Sequence, residues 1–483
     1  MCVFIFSIIV NSAFLQRHYS SDTMCLINYG YFNYPIKFFL LDGRIISTLM
    51  CYLGGILNLS FDMYLFISNF IGILILSLTV IILYKVTIKY LEIENKWIKF
   101  MTMLATYTII VNHMSIEYLI FAESCVMCTG LMFSVIAAIT YLDSKKGEIF
   151  ESFAFLLLSS LCYQGLLSIF PAIVITLSLL KKRKDTKNEI LKFYINEIFK
   201  LGVMYVLVML INVGLVLIFN NLLDNSTYRL ERVKNIVEMI LTIPYNSFDI
   251  LINQTNKVPQ YLCVVVMIIT SFLIIRYSKN LNTLLKYILT MFTAYLFCII
   301  PMLVFGYAES RMLMAIGATM GISLLFIIHY LNDNKDDITI KDVKTIIISI
   351  CVIGYFIFNI INNGINSYEH LKAFKIDEEN GKRINKLVKE YEESTGKEIK
   401  KIAYYHDVAE QKYEEGIKQL GPLTERKFAV PIVESLNYYC NKRLELVPFS
   451  VKVYYKYFVG KNYTKFSEEQ LVFIDDILYM CVY

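Results

Sequence analysis

FESFAFLLLSSLCYQGLLSIFPAIVITLSLL, Phe150 to Leu180, holds 31 residues with Glu151 as its one charged side chain, and the basic run KKRK, Lys181 to Lys184, follows directly. One helix of that length would measure about 45 Å, longer than the roughly 30 Å hydrocarbon core of a bilayer. Tyr163, Gln164, Gly165 and Pro171 interrupt it. It therefore reads as two short helices joined by a polar turn, a discontinuity of the kind that lines sites inside membranes. KKRK assigns its far end to the cytoplasmic side, because lysine and arginine accumulate in inner loops.

The same composition extends outward from this stretch. Of the 483 residues, 57% are hydrophobic and 18% charged, and the mean hydropathy is +0.54. Soluble domains hold about 45–50% apolar and about 25% charged residues. Apolar runs recur through the first three quarters, so the chain reads as an all-α polytopic membrane protein with about 11 transmembrane helices. The first run, MCVFIFSIIVNSAF, is short and has no basic start, so it reads as a span and not as a cleavable signal. Residues 1–361 form the membrane core, with the amino end inside. Residues 362–483 are charged and mixed, and read as a small extracytoplasmic α/β domain.

In detail, residues 17–44 read as the first outer loop and Ile45 to Leu59 as an interfacial helix or the start of a broken span. Asp62 to Tyr84 is a full span, and Lys85 to Phe100, with Trp97, an amphipathic interfacial link. HMSIEYLIFAES turns one span back into the next. Asn221 to Gln260 reads as a polar outer loop. In the tail, Glu378 to Thr395 reads as a helix, KKIAYYHD as a strand, and Ser467 to Asp476 as a capped helix before a strand ILYMCVY.

Composition and spacing exclude several classes. A net charge of +5 with no basic stripe gives no footprint for nucleic acid. The 11 cysteines lack metal spacing, and Cys125 and Cys128 sit in an apolar helix as two small side chains. There is no GxGxxG, P-loop or GxSxG. No cofactor and no metal site is indicated.

The chemistry-bearing residues cluster at the outer ends of the spans. Asp22 follows the first span and can serve as a general base for a hydroxyl, or be an ordinary solvated acid. Asp42 and Arg44 flank Gly43, and Arg44 is a fork for phosphate or a snorkelling arginine. His113, Glu117 and Glu123 lie around the turn between two spans, where acids are costly unless they face a partner or an aqueous cavity. Gln164 either binds sugar hydroxyls or satisfies the helix break. Glu309 and Arg311 occupy an outer turn.

On four patches the chain resembles the bacterial polytopic glucosyltransferases of the O-antigen type II family, of the GT-C architecture. They are SSDTMCLINYGYFNYPIKFFLLDGRIIS (Ser20 to Ser47), EYLIFAES (Glu117 to Ser124), YQG (Tyr163 to Gly165) and YAESR (Tyr307 to Arg311). The tail segment ENGKRINKLVKEYEESTGKEIKKIAYYHD, from Glu379, extends the likeness. The resemblance implies a GT-C-like fold in a bacterial cell membrane. It implies transfer of a glucosyl or other hexosyl residue from a polyprenyl-phosphate-linked donor to a cell-surface glycan acceptor, with inversion. It also makes Asp22 the base, although many members of the architecture carry two adjacent acids there and this chain has Ser21 before Asp22. A transporter or flippase of a lipid-linked or small polar substrate is the competing class, and broken helices suit it too.

Overall fold

A backbone inside hydrocarbon has no water to bond, so each apolar run satisfies its N–H and C=O groups as a helix. In the computed structural model the main helices of the membrane part are α1 (Cys2–Val10), α2 (Ser21–Tyr34), α3 (Ile45–Ile56), α4 (Phe61–Tyr90), α5 (Lys96–Ile110), α6 (Ser124–Asp143), α7 (Ile149–Cys162), α8 (Ile169–Lys181), α9 (Lys187–Leu222), α10 (Leu281–Phe305), α11 (Met314–Asp333) and α12 (Val343–Thr395). The structure describes residues 2–143, 149–182, 186–223, 265, 268–278, 281–305, 310–333, 343–406, 431–461, 463 and 465–482.

Among the described residues, seven helices are long and apolar enough to cross a membrane: α4, α6, the Gln164–Lys181 run ending in α8, α9, α10, α11 and α12. The chain is a polytopic helical membrane protein. The sequence count of about eleven also includes α1, α5 and α7, which are short, and a stretch at 261–275 that is only partly described. The spans fall into two classes. The windows in α8 and α11 are 94% buried, whereas those in α9 and α10 are 39% buried. So α8 and α11 are inner helices, and the others shield them. On α9, Val203, Val206, Leu210 and Leu217 are exposed, a stripe that suits acyl chains better than water.

Close approach of small residues holds α11 to α5. A Cβ on Gly321 would meet the Ala105 carbonyl oxygen and the Ile109 nitrogen, each at 2.6 Å. Both are backbone atoms and cannot swing aside. Gly321→Val is therefore expected to push the two helices apart and cost about 1–3 kcal/mol. A lower thermal midpoint of the detergent-purified variant checks this, and an unchanged midpoint would show that the backbones relax freely.

Four local readings are corrected. Residues 17–44 are not an open loop: they fold into α2, a π-helical turn (Pro35–Phe39) and a 3-10 turn (Leu40–Asp42). Gly43 closes that turn at φ +73°, and a Cβ there would press on Asn212 of α9 at 3.1 Å. Lys85 to Phe100 is not one interfacial helix. α4 runs on to Tyr90, and α5 starts anew with Asn95 accepting from the Trp97 and Ile98 N–H groups. The helix of the last span does not end at Ile361: α12 is 53 residues long and runs on to Thr395 in the tail. Ser467 caps only a 3-10 turn (Glu468–Gln470). The two-helix reading of Phe150 to Leu180 holds, with a 3-10 turn (Gln164–Ser168) between α7 and α8.

The tail carries β1 (Lys401–His406), α13 (Ile432–Cys440), β2 (Glu445–Leu446), β3 (Leu471–Ile474) and β4 (Ile477–Val482). The sheet order is β2-β1-β4-β3, with β1 parallel to β2 and β4, and β3 antiparallel to β4. Ile384 and Val388 of α12, Leu436 of α13, and Ile402, Leu478 and Met480 of the sheet close one core. The tail also seats on α2. Asn437 Nδ2 donates to Asn28 Oδ1 at 3.1 Å, the Tyr29 hydroxyl to Glu434 at 3.3 Å, and Tyr438 packs edge-on against Tyr19.

Candidate functional site

Five connections between helices meet at one end of the bundle: those before α2, α3, α6, α8 and α11. Ser20 starts α2, its side chain accepting the Thr23 N–H at 3.1 Å. That places Asp22 in the first turn of α2, where the positive end of the helix dipole favours an ionised acid. Glu123 stands immediately before α6 and is 1% exposed. Its Oε1 has no hydrogen-bond partner among the described residues. Burial pushes the Glu123 carboxyl up to about 7, the neighbouring Asp22 charge adds to the rise, and Arg44 and Arg311 oppose it. The buried phenol of Tyr34, at the far end of α2, is raised by burial and then by the charges of Asp22 and Glu123. Asp22, Tyr34 and Glu123 thus share one neighbourhood.

The cationic half is organised by Tyr163, in the break between α7 and α8. Tyr163 is fully buried. The Arg44 guanidinium lies 4.8 Å from its ring centroid, within cation–π range. Arg311 Nε donates to the Tyr163 hydroxyl at 3.0 Å, and Arg311 Nη1 donates to Glu117 Oε1 at 2.9 Å. Phe121 covers the Arg311 guanidinium at 5.2 Å. Arg44 is 3.8 Å from Asp42. Arg44 and Arg311, far apart in the chain, therefore converge on one aromatic ring.

The structure thus gathers Asp22, Asp42, Arg44, Glu117, Glu123 and Arg311. Gln164 is adjacent but structural in its contacts: its Nε2 donates to the Asp42 carbonyl at 2.8 Å and to Asn212 Oδ1 at 3.0 Å, tying the helix break to α9. His113 is buried, and burial lowers it to about 4, so it is neutral at pH 7. Glu117, four residues on, turns to Arg311. Glu309 lies outside the described residues. Tyr163 and Tyr34 are the residues that sequence reasoning missed. Tyr163 had one signal, an aromatic inside the YQG break, but it served there only to mark an interruption. Among the described residues, no group of three His, Cys, Asp or Glu side chains is arranged to hold a metal ion.

A buried carboxyl beside a second acid, facing two arginines, can move a proton near neutral pH while the cations hold an anion. The Glu123 shift has a consequence for stability. Its folded value lies above the ordinary 4.5, so the native state keeps a proton that the unfolded chain has released. That contribution is complete below about pH 4.5 and is lost as pH rises through about 7. Thermal midpoints should be higher at pH 5 than at pH 8, and Glu123→Gln should flatten the slope. An equal fall in both proteins would place the titrating group elsewhere.

A sequence profile of the family described as Glucosyl transferase GtrII matches residues 12–328. The matched region begins just after α1, ends in α11 and contains every residue of the cluster. No curated protein and no solved structure matches the chain.

Proposed function

The chain belongs to the GtrII glucosyl transferase family, and from that premise we propose that it moves glucose from a polyprenyl-phosphate donor to a hydroxyl of a cell-surface glycan. The observation that carries this reading is the meeting of the Asp22–Glu123 acid pair with the Arg44–Tyr163–Arg311 group at one end of the spans. Asp22 takes the proton of the acceptor hydroxyl. The acceptor oxygen bonds to the anomeric carbon as the bond from that carbon to the phosphate oxygen breaks. The electron pair leaves with polyprenyl phosphate, and Arg44 and Arg311 stabilise its developing charge. A single displacement needs one base and inverts the anomeric carbon, unlike the two-carboxylate double displacement of retaining glycosidases. Glu117 orients Arg311. Glu123 lies beside Asp22 with its carboxyl raised by burial, so it can hold or release a proton near neutral pH.

In this reading KKRK faces the cytoplasm, and the site and the tail face outward. A single cysteine near Lys397 should label in intact cells and one near Lys182 should not; the reverse pattern would invert the orientation. The tail seats on α2, which bears Asp22, and this supports a part for it in admitting the acceptor together with the Asn221 to Gln260 segment, of which residues 224–260 are not described. Exchanging the tail for that of a relative is expected to change which glycan is accepted while hydrolysis of the donor persists. Unchanged selectivity would put acceptor recognition in the membrane part. The direct test of the whole reading is transfer of labelled glucose from polyprenyl phosphate in membranes. Absence of transfer to every surface acceptor, together with movement of the intact donor across the membrane, would favour the flippase.

A further inference from the structure

One face of α9 lies along the turn that carries Arg44. Asn212, Val216 and Asn220 follow one another at the helical repeat and are buried, whereas Leu210, Leu217 and Ile218 nearby are exposed. Polar side chains inside a span are expensive without partners, and these two asparagines find theirs at the turn. Asn220 Nδ2 donates to the Leu41 carbonyl at 3.0 Å. Asn212 Oδ1 accepts from Gln164 Nε2 at 3.0 Å, and the same Gln164 nitrogen donates to the Asp42 carbonyl at 2.8 Å. Asn212 Nδ2 donates to the Ser160 carbonyl of α7 at 3.4 Å. Between the two asparagines, Val216 packs on Gly43, where a Cβ would meet its Cγ2 at 3.2 Å.

The direction of this wiring is fixed. Both N–H groups of the Gln164 amide go to oxygens, and the Asn212 amide offers its oxygen to Gln164 and its nitrogen to Ser160. Turning either amide over would set oxygen against oxygen. The wiring also joins the neighbours of the two groups that meet at the site. Arg44 stands two residues beyond Asp42, and Tyr163 stands directly before Gln164. The Arg44 guanidinium lies 4.8 Å from the Tyr163 centroid, and that of Arg311 lies 6.0 Å from it. Two guanidinium groups at one ring repel each other, and Asp42 and Glu117 offset part of that repulsion. An arginine side chain has many rotamers. Fixing the turn beneath Arg44 and the ring it lies on removes much of that freedom before an anion arrives.

We infer that Gln164, Asn212 and Asn220 are positioning residues that hold Arg44 on Tyr163, beside Arg311, so that the phosphate of a lipid-linked donor meets two preset forks. The inference rests on the proposed transfer reading for the identity of that anion. The three amides act through Arg44 and not on the sugar. They give α9, a helix with a lipid-facing stripe, a part in binding the donor.

The test is a double-mutant cycle in the purified full-length protein. It is read first by binding of synthetic polyprenyl phosphate, followed as a rise in thermal midpoint, and then by glucosyl transfer. Gln164→Met keeps the length of the side chain and removes both donated bonds. It is expected to weaken polyprenyl phosphate binding about tenfold, on the order of one or two hydrogen bonds. The KM for the donor should rise while that for the acceptor stays. In the Arg44→Ala background the same substitution should cause no further loss, because the group it positions is gone. Should Gln164→Met fail to fold, Asn220→Leu carries the same cycle from the α9 side. An equal loss in both backgrounds, unweakened binding by Gln164→Met, or a wild type that does not bind polyprenyl phosphate would each overturn the inference. Coupled binding without any transfer of glucose would leave the inference standing and remove the transfer reading, whereas transfer with equal losses in both backgrounds would do the reverse.

Discussion

Asp22→Asn is expected to lower glucosyl transfer by roughly 10²–10⁴-fold, the usual contribution of a general base, while the protein still inserts and folds. Asparagine keeps the shape of the side chain and its place in the first turn of α2, so Ser20 still caps the helix and the tail still seats on α2. What it removes is the lone-pair basicity and the charge that Glu123 feels. The substitution thus has a second readout. With the Asp22 charge gone, one of the two raising influences on Glu123 disappears, and the Glu123 carboxyl should titrate at a lower pH. Asp42→Asn is the control, since Asp42 lies on the arginine side, 3.8 Å from Arg44. Full transfer by the Asp22 variant would remove it from the chemistry, and an Asp42 variant with the larger loss would move the base there.

The largest effect on stability is expected at Glu117. It is 3% exposed and holds the guanidinium of Arg311 at 2.9 Å. Glu117→Ala leaves a largely buried cation, 14% exposed, without that carboxylate, and breaking one side of a buried pair costs up to about 3–5 kcal/mol. Removing both charges with Glu117→Leu and Arg311→Met should recover much of the loss, because burying two charges carried its own desolvation penalty. The double variant should nevertheless remain inactive if Arg311 holds the donor phosphate. Arg311→Lys separates the two roles: it keeps the charge for Glu117 but loses the fork that bonds Tyr163 and a phosphate together. The thermal midpoint and transfer rate of these variants decide the matter. A stable Glu117→Ala protein would mean that solvent reaches the pair, and near-normal transfer by Arg311→Lys would take the phosphate away from this residue.

Much of the charged cluster at the candidate site was legible because charge at the ends of spans is expensive. Asp42, Arg44, Glu117, Glu123 and Arg311 stand out against apolar neighbours, and the structure gathers all of them. Tyr163 was not legible, because it is one of 36 tyrosines, and its worth comes from two arginines brought to it by distant turns. Gln164 carried the same polar signal as the site residues, but its amide is taken by Asp42 and Asn212. Its role follows from partners that lie far off in the chain.

The helix boundaries show the same division. The break in Phe150 to Leu180 was readable, since glycine and proline interrupt a run too long for the bilayer. The continuation of α12 past Ile361 was not. Asn362, Asn363, Gly364 and Asn366 are poor helix formers, yet tertiary contact overrides propensity there. The Asn359 amide bonds the Val111 carbonyl, Ser367 bonds the Val10 carbonyl, and His370 packs on His18. At the other end of the tail, Ser467 does act as a cap. The run LVFI that follows pairs with ILYM across a turn at Asp475, φ +53°, so the residues after the cap extend as a strand.

With its 53 residues α12 extends about 80 Å, and no hinge separates its membrane half from the half that carries the tail sheet. It works as a drive shaft with a set angular phase. One residue inserted near Ile361 would turn everything beyond it by about 100° and shift it by about 1.5 Å, carrying α13 away from Asn28 and Tyr29. Chimeras between relatives must therefore be joined in helical register, and a junction that ignores phase would misdirect even a tail that folds correctly.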